Sequence, residues 1–260
     1  MLDLSVDAGV ATLRFNRPEV LNAFDDRLGT EALDAVRSVA GDEGVRCVVL
    51  TGAGRAFCSG EDLGALAEGY ARGEPADLGR ILRERYNPLV SAIVAAPKPV
   101  MAALNGVAAG AGASIALACD VRIASAKASL VWPFAQVGLV PDSGALWFLV
   151  RMVGESRAWS LVSDGKAVPA DEALQLGLVH RVVQDDEFES VWRAEARRLA
   201  GGPTRAYALT KALLTGASDL SLDEQLEREV NVQTEAGATI DHVEGVQAFL
   251  SKRRPHWQGR

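Results

Sequence analysis

Cysteine is scarce in this chain: Cys47, Cys58 and Cys119 are the only three among 260 residues. Three thiols cannot pair completely and none belongs to a C-x-x-C, so a disulfide scaffold is excluded and structural thiols in a reducing compartment are expected. Histidine is equally scarce. His180, His242 and His256 stand far apart and none sits in H-E-x-x-H or a comparable spacing, which leaves a zinc or non-haem iron centre without support. Basic charge is short too, with 27 Lys and Arg against 34 Asp and Glu for a formal net charge of −7. That balance argues against a surface built to neutralise nucleic-acid phosphates. Residues 1–7 carry two acids and no basic residue, so neither a secretory signal nor an Arg-rich transit peptide is read there, and a cytoplasmic location is expected.

Long uncharged runs are absent with one exception, residues 99–119, which contain the G-x-x-x-G of Gly106 and Gly110. Only five of these 21 residues are Val, Leu or Ile, Asn105 and Ser114 lie inside, and three glycines cluster at 106–112. A membrane helix is thereby disfavoured; a buried strand, a glycine turn and a buried helix are expected instead. Aromatics number 15, and what replaces them is small: 42 Ala and 25 Gly. With 48% hydrophobic and 23% charged residues, the composition is that of an ordinary globular protein long enough for one or two domains.

Hydrophobic spacing supplies the elements. Residues 2–6 and 10–15 read as a strand hairpin turning at Asp7, Ala8 and Gly9, and Leu28, Leu33, Val36 and Val39 mark one face of a helix. Residues 45–50 read as a strand covered on both faces, ending in a loop at 51–54. Residues 77–96 predict a helix interrupted near Pro88. A strand at 99–105, a helix at 111–119 and short strands at 121–124 and 130–131 follow. From Gly144 the pattern is helical at 144–152, 155–163 and 170–176, with a strand at 178–183, and helical again at 187–200, 204–215, 221–236 and 241–250. Ser221 with Glu224 forms a capping box at the start of one of these. The alternation predicts the α/β class, one compact unit with a helical carboxy-terminal portion.

Several chemistries can be weighed on these elements. Gly52-x-Gly54 and Gly110-x-Gly112 each follow a strand-like run, but Phe57 and Ile115 stand where a dinucleotide-binding loop has its third glycine, so both read as turns. Gly112-Ala-Ser114-Ile-Ala116 approximates a nucleophile elbow, yet a small Ser inside an Ala-rich helix reads as packing. The loops at 57–62 and 106–112 each follow a buried strand and lead into a helix, where N–H groups are left unpaired. Two such donors converging on one carbonyl oxygen would form an oxyanion hole, an effect of about 3 kcal/mol per donor. Asp142, flanked by Leu139-Val-Pro141 and Ala145-Leu-Trp-Phe148, reads either as the cap of a helix starting near Gly144 or as a general base. Burial would raise its pKa and the helix start would lower it, which leaves the sign open.

In order, these segments resemble the enoyl-CoA hydratase/isomerase family, the crotonase superfamily, over essentially the whole chain. The resemblance rests on Asn16-Arg-Pro-Glu-Val-Leu-Asn-Ala-Phe24, on residues 48–63 with Phe57-Cys-Ser-Gly-Glu-Asp62, and on residues 98–112 continuing to Ala118-Cys-Asp-Val-Arg-Ile-Ala124. It implies the crotonase fold, with repeated ββα units over residues 1–195 and a helical region at 196–260 that packs on the core and on neighbouring subunits of a homotrimer or dimer of trimers. It implies an acyl-CoA substrate, coenzyme A entering as part of the thioester, with no metal or redox cofactor and no nucleic-acid or membrane partner. The thioester carbonyl would be held by the backbone N–H groups of Glu61 and Ala111. Ala23, Ser59, Gly60, Asp62, Leu63, Gly110, Ser114, Trp132 and Phe134 would contact the substrate.

Typical hydratases of the family carry two catalytic glutamates; here the first place is Ser114 and the second Phe134, which disfavours simple hydration. Val137-Gly-Leu-Val-Pro-Asp-Ser-Gly144 followed by Trp147-Phe-Leu149 is instead similar to the branch containing 1,2-epoxyphenylacetyl-CoA isomerase, whose Pro-Asp-Ser-Gly aspartate is the acid/base. The resemblance therefore implies an isomerase in which Asp142 moves a proton while the two N–H groups stabilise a thioester enolate. The substrate would be a ring epoxide of phenylacetyl-CoA, a 3-enoyl-CoA, or both. A low hydratase activity and a non-catalytic acyl-CoA-binding role are the alternatives. Ala145, where the branch has a second Gly, and the bulk of Trp132-Pro133 depart from the pattern and bear on the acyl group. The basic tail at Lys252, Arg253 and Arg254 is the candidate partner of the CoA phosphates.

Overall fold

The first strand, β1 (Leu2–Asp7), turns through Ala8 and Gly9, both at positive φ, into β2 (Val10–Phe15) with Leu2 opposite Phe15. The computed structural model describes residues 1–260 apart from the side chain of Glu68. Helix α1 (Asp26–Gly41) follows, its start fixed by the Asp25 carboxylate, which accepts from the Leu28 N–H at 2.8 Å. The chain then repeats one pattern. A strand of the large sheet leads to a short strand of a second sheet and then to helical chain. The repeats are β3 (Cys47–Gly52), β4 (Ala56–Cys58) and α2 (Leu63–Ala71), then β5 (Val100–Leu104), β6 (Val107–Ala109) and α5 (Ala111–Ala118). Between them lie α3 (Leu78–Ile81) and α4 (Asn87–Ala95). A third pass runs through β7 (Val121–Ser125) and β8 (Ser129–Val131) to α6 (Ala145–Val153).

The remainder is α7 (Glu155–Asp164), β9 (Val168–Pro169), α8 (Ala170–Gln175), β10 (Arg181–Val183), α9 (Phe188–Ala200), α10 (Thr204–Leu214), α11 (Leu222–Gly237) and α12 (Ile240–Leu250). The large sheet has the order β1-β2-β3-β5-β7-β10, parallel from β2 onward, and the small one β4-β6-β8-β9. Side chains alternate between the faces of β3. Val48 and Leu50 join the core beneath α1, α4 and α5, while Cys47 and Val49 pack with Phe188 and Trp192 of α9. Covering on both faces is why residues 47–50 are apolar without alternation.

Three expectations are revised. The loops at 57–62 and 106–112 take in residues of β4 and β6, three-residue strands too short to show a period of two. The helix break falls at residues 82–86, ahead of Pro88, where a π-helical turn closes with the Asn87 N–H on the Leu82 carbonyl. Pro88 follows directly, at the start of α4, within a helical run of α and π turns that continues unbroken from residue 78 to residue 95. The strand expected at 178–183 is confined to Arg181–Val183, because the Leu178 N–H caps α8 on the Ala173 carbonyl. The capping box at Ser221 forms as read.

Lys98 ties the entry of β3 to the end of α1. Only 4% exposed, its ammonium donates at 2.8 Å to each of the Val39, Asp42 and Val45 carbonyls, and burial holds its pKa below the ordinary lysine value. Lys98→Met removes three charge-assisted bonds and strands buried carbonyls. The variant is expected to lose about 2–4 kcal/mol in urea unfolding.

Candidate active site

The parallel repeats bring three backbone segments together. The first follows β4. Phe24 N–H donates to the Gly60 carbonyl at 2.7 Å and Asp62 N–H to the Phe24 carbonyl at 2.9 Å, a parallel bridge in which the Glu61 N–H faces away from Phe24. The second is the start of α5, where Gly110 at φ +53° turns the chain and Ala111 is the first helical residue. Its N–H is one of the donors a helix cannot satisfy internally. Among the described residues, neither N–H donates to an acceptor within the chain. The two loops touch: Gly60 has φ +92°, and a Cβ there would stand 3.0 Å from the Ala109 carbonyl oxygen and 3.5 Å from the Ala111 nitrogen.

The third segment is the turn before α6. Ser143 and Gly144 have φ of +53° and +80°, and they bend the chain so that the Asp142 carboxylate enters the same cavity as Glu61 and Ala111, a space of about 270 Å³. Its backbone carbonyl accepts the Ala145 N–H at 2.9 Å and lies 3.2 Å from the Ser114 hydroxyl. The helix start carries no side-chain cap, so the capping reading of Asp142 fails. Its carboxylate accepts from the Ser143 hydroxyl at 2.9 Å. Burial holds the Asp142 carboxyl above the ordinary aspartate range; the Ser143 hydrogen bond opposes this, and the charge of Glu61 on the same cavity adds to it. Leu63, Leu78, Ile81, Leu82, Phe134 and Leu139 make the rest of the wall apolar. Larger grooves occur elsewhere, one of about 420 Å³ beside Trp147 and Lys211, but neither of these N–H groups nor the Asp142 carboxylate lines it.

Of the residues expected at the substrate, Ser59, Gly60, Glu61, Leu63, Gly110, Ala111, Phe134 and Asp142 line this cavity. Four do not. The Ala23 carbonyl and the Asp62 carboxylate both accept from Arg17, at 2.6 and 2.9 Å, and so brace the Glu61 loop from outside. Ser114 is fully buried, its hydroxyl 3.2 Å from the Gly110 and Asp142 carbonyls, which joins the α5 start to the Asp142 turn and removes it as a nucleophile. Trp132 is also fully buried; Pro133 and Phe134 form the wall in its place.

Sequence reasoning missed Arg85 and Tyr86. Arg85 donates to both Glu61 carboxylate oxygens at 2.8 and 2.6 Å, and the Tyr86 hydroxyl donates to one of them at 2.6 Å. A signal existed. Position 85 lies three residues after Leu82 and four before Leu89, so an arginine interrupts an apolar helical stripe. The basic tail does not line the cavity of its own chain. Arg253 pairs with Glu244, and Asp241 accepts the N–H groups of Gln258 and Gly259, which docks the tail beside Arg46 at the entry to β3, while the site follows that strand's exit.

All three cysteines are free and buried, with thiols pushed up to about 12 by burial, so none is a nucleophile at neutral pH. Among the described residues no cluster of three or more His, Cys, Asp or Glu is placed to hold a metal ion, and no helix is long and apolar enough to cross a membrane.

Comparison with known proteins agrees with this arrangement. The family model for enoyl-CoA hydratase/isomerase matches residues 5–260. A Rhodobacter capsulatus protein named "Probable enoyl-CoA hydratase" is 44% identical, over 98% of this chain and 96% of its own length. The Escherichia coli 1,2-epoxyphenylacetyl-CoA isomerase is 42% identical, over 98% of this chain and 97% of its own. A solved structure from Mycobacterium abscessus, described as an enoyl-CoA hydratase/isomerase, superposes with a TM-score of 0.95 at 41% identity and covers 100% of both chains. An α/β chain with this site and these relatives belongs to the enoyl-CoA hydratase/isomerase family.

Proposed function

We propose that this protein is an acyl-CoA isomerase in which Asp142 is the sole acid/base and the N–H groups of Glu61 and Ala111 form the oxyanion hole. The observation that carries the reading is the meeting of these three groups on one apolar-walled cavity. A thioester carbonyl seated between the two N–H groups places the acyl chain against that wall. The Asp142 carboxylate takes a proton from the chain, negative charge collects on the thioester oxygen, and the two fixed donors stabilise it there. The same carboxyl returns the proton at another position, so the composition of the acyl group does not change. One carboxylate is sufficient for this, since no water has to be activated.

The acyl groups that fit are a 1,2-epoxyphenylacetyl group, converted to its oxepin isomer, and a 3-enoyl group, converted to the 2-enoyl isomer. The 42% identical relative is named for the first of these. The 44% identical relative favours a second reading, a hydratase. Against it, Ser114 and Phe134 occupy the places of the hydratase glutamates, and neither can activate water. We place the protein in the cytoplasm as a homotrimer or a dimer of trimers.

Asp142→Asn is expected to lower kcat for both isomerisations by about 10³-fold with little change in acyl-CoA affinity, read by steady-state kinetics and calorimetry. Unchanged turnover of both substrates would sink the assignment. Because the base must be ionised, kcat/KM falls as pH drops, and the acid limb is expected above the ordinary aspartate pKa of about 3.9. Ser143→Gly keeps the positive φ but removes the hydrogen bond that lowers the pKa of Asp142, so the limb is expected to move to higher pH. Gly60→Ala strains a residue at φ +92° and crowds the Ala111 nitrogen. A fall in kcat of about 10²-fold or more is expected, with crotonyl-CoA hydration staying at background.

A further inference from the structure

Two acidic residues line the acyl cavity and no cationic one does: its described lining includes Glu61 and Asp142 but no Lys, Arg or His, and the Glu61 carboxylate lies 2.6 Å from the hydroxyl of Tyr86, another lining residue. Tyr70 and Tyr86 are the other titratable groups on the wall. The catalytic reading uses only the backbone of Glu61, yet its side chain is held by a dedicated structure. Arg85 and Tyr86 together give it three hydrogen bonds, and Arg85 also pairs with Asp26.

Helix α1 has a glycine where Arg85 passes. A Cβ on Gly29 would stand 2.3 Å from the Arg85 Cγ, so the arginine stem fills the place of a side chain. The π-helical turn at residues 82–86 delivers two consecutive residues to one carboxylate, which successive positions of an α-helix, some 100° apart, do not readily do. The side chain of Glu61 is 18% exposed against 8% for Arg85, and Glu61 alone of the two lines the cavity. Arg85 divides its charge between Glu61 and Asp26, so these three residues together are net negative, and an ionised Asp142 adds a further charge.

We propose that the Glu61 side chain is a specificity-determining residue: clamped by Arg85 and Tyr86, it presents a fixed negative charge that admits thioesters of uncharged acyl groups and excludes acyl chains bearing a carboxylate of their own. This rests on the reading of the cavity as the acyl site. A third carboxylate in a space of this size meets like charge, finds no cation, and loses its hydration. An uncharged chain meets only the apolar wall.

The test is calorimetric binding of hexanoyl-CoA and adipoyl-CoA, saturated six-carbon thioesters that differ by a distal carboxylate and have no double bond to shift. The wild type is expected to bind hexanoyl-CoA at least tenfold more tightly. Glu61→Gln should narrow that ratio to under threefold, while Tyr86→Phe, which removes one bond and keeps the charge, should retain it. Equal affinities in the wild type overturn the charge rule and leave the acyl-site reading standing; a ratio unchanged in a folded E61Q protein overturns the assignment to Glu61. Should E61Q not fold, 6-hydroxyhexanoyl-CoA separates charge from polarity in the wild type. It is expected to bind closer to hexanoyl-CoA than to adipoyl-CoA, and the reverse order overturns the proposal. Failure of every thioester to bind overturns the reading of the cavity itself, and the proposal with it.

Discussion

Direct contact between two stretches of backbone, with no side chain between them, is the constraint on which the rest of this structure depends. A Cβ on Gly112 would stand 2.4 Å from the Cys58 carbonyl oxygen, and one on Gly106 would stand 2.0 Å from that of Arg55. Any side chain at either place forces β4 away from the start of α5. The two N–H groups would then part, because each is fixed to its own element: Glu61 through the bridge to Phe24, and Ala111 through its place at the head of a helix with every residue buried. The abundance of alanine and glycine in residues 91–120 follows from this. Small residues let the strand, turn and helix close up at the density of a protein interior while the peptide groups stay bare.

The Asp142 turn works by the opposite means, through local strain. Ser143 is buried at φ +53°, a conformation that costs a non-glycine residue about 1 kcal/mol or more. The cost is offset by what the turn anchors. Phe148 and Leu149 of α6 are buried in the main core, and the Asp142 carbonyl is held from two sides. The backbone of Asp142 is therefore occupied while its carboxylate has, among the described residues, a single hydrogen-bond partner, a combination consistent with the proposed proton exchange.

Much of this was legible in the sequence where a long-range constraint leaves a local mark. Burial of both faces of β3 gives an unbroken apolar run, and the glycines at 60, 106, 110 and 112 announce close approach before the partner segment is known. The apolar flanks of Asp142 marked it as unusual, though only the fold shows that its carboxylate faces a cavity instead of capping α6. Trp132 shows the limit. Its bulk beside the expected acyl pocket suggested a substrate contact, but the chain leaves the extended conformation at Pro133 for a 3-10 turn at Phe134–Val137, and Pro133 and Phe134 line the cavity while Trp132 is buried. The three-residue strands of the second sheet carry too few residues for any period. Arg85 left one mark, an arginine in an apolar stripe, but that two consecutive residues meet one carboxylate was hidden, since a helical pattern assumes α spacing and the turn that aims them does not have it.

That π-helical turn gives the cavity an unusual kind of evolutionary address. A π turn accommodates one more residue than the α turn it replaces, so deleting one of residues 82–84 would return the segment to regular winding and rotate Arg85 and Tyr86 away from Glu61 without replacing any of the three. The charge presented at this cavity is thus coupled to the length of one helix as well as to the identity of the residues in it. On the proposed reading of the cavity, a change of acyl preference needs no change of a functional residue, only a one-residue gap at this turn.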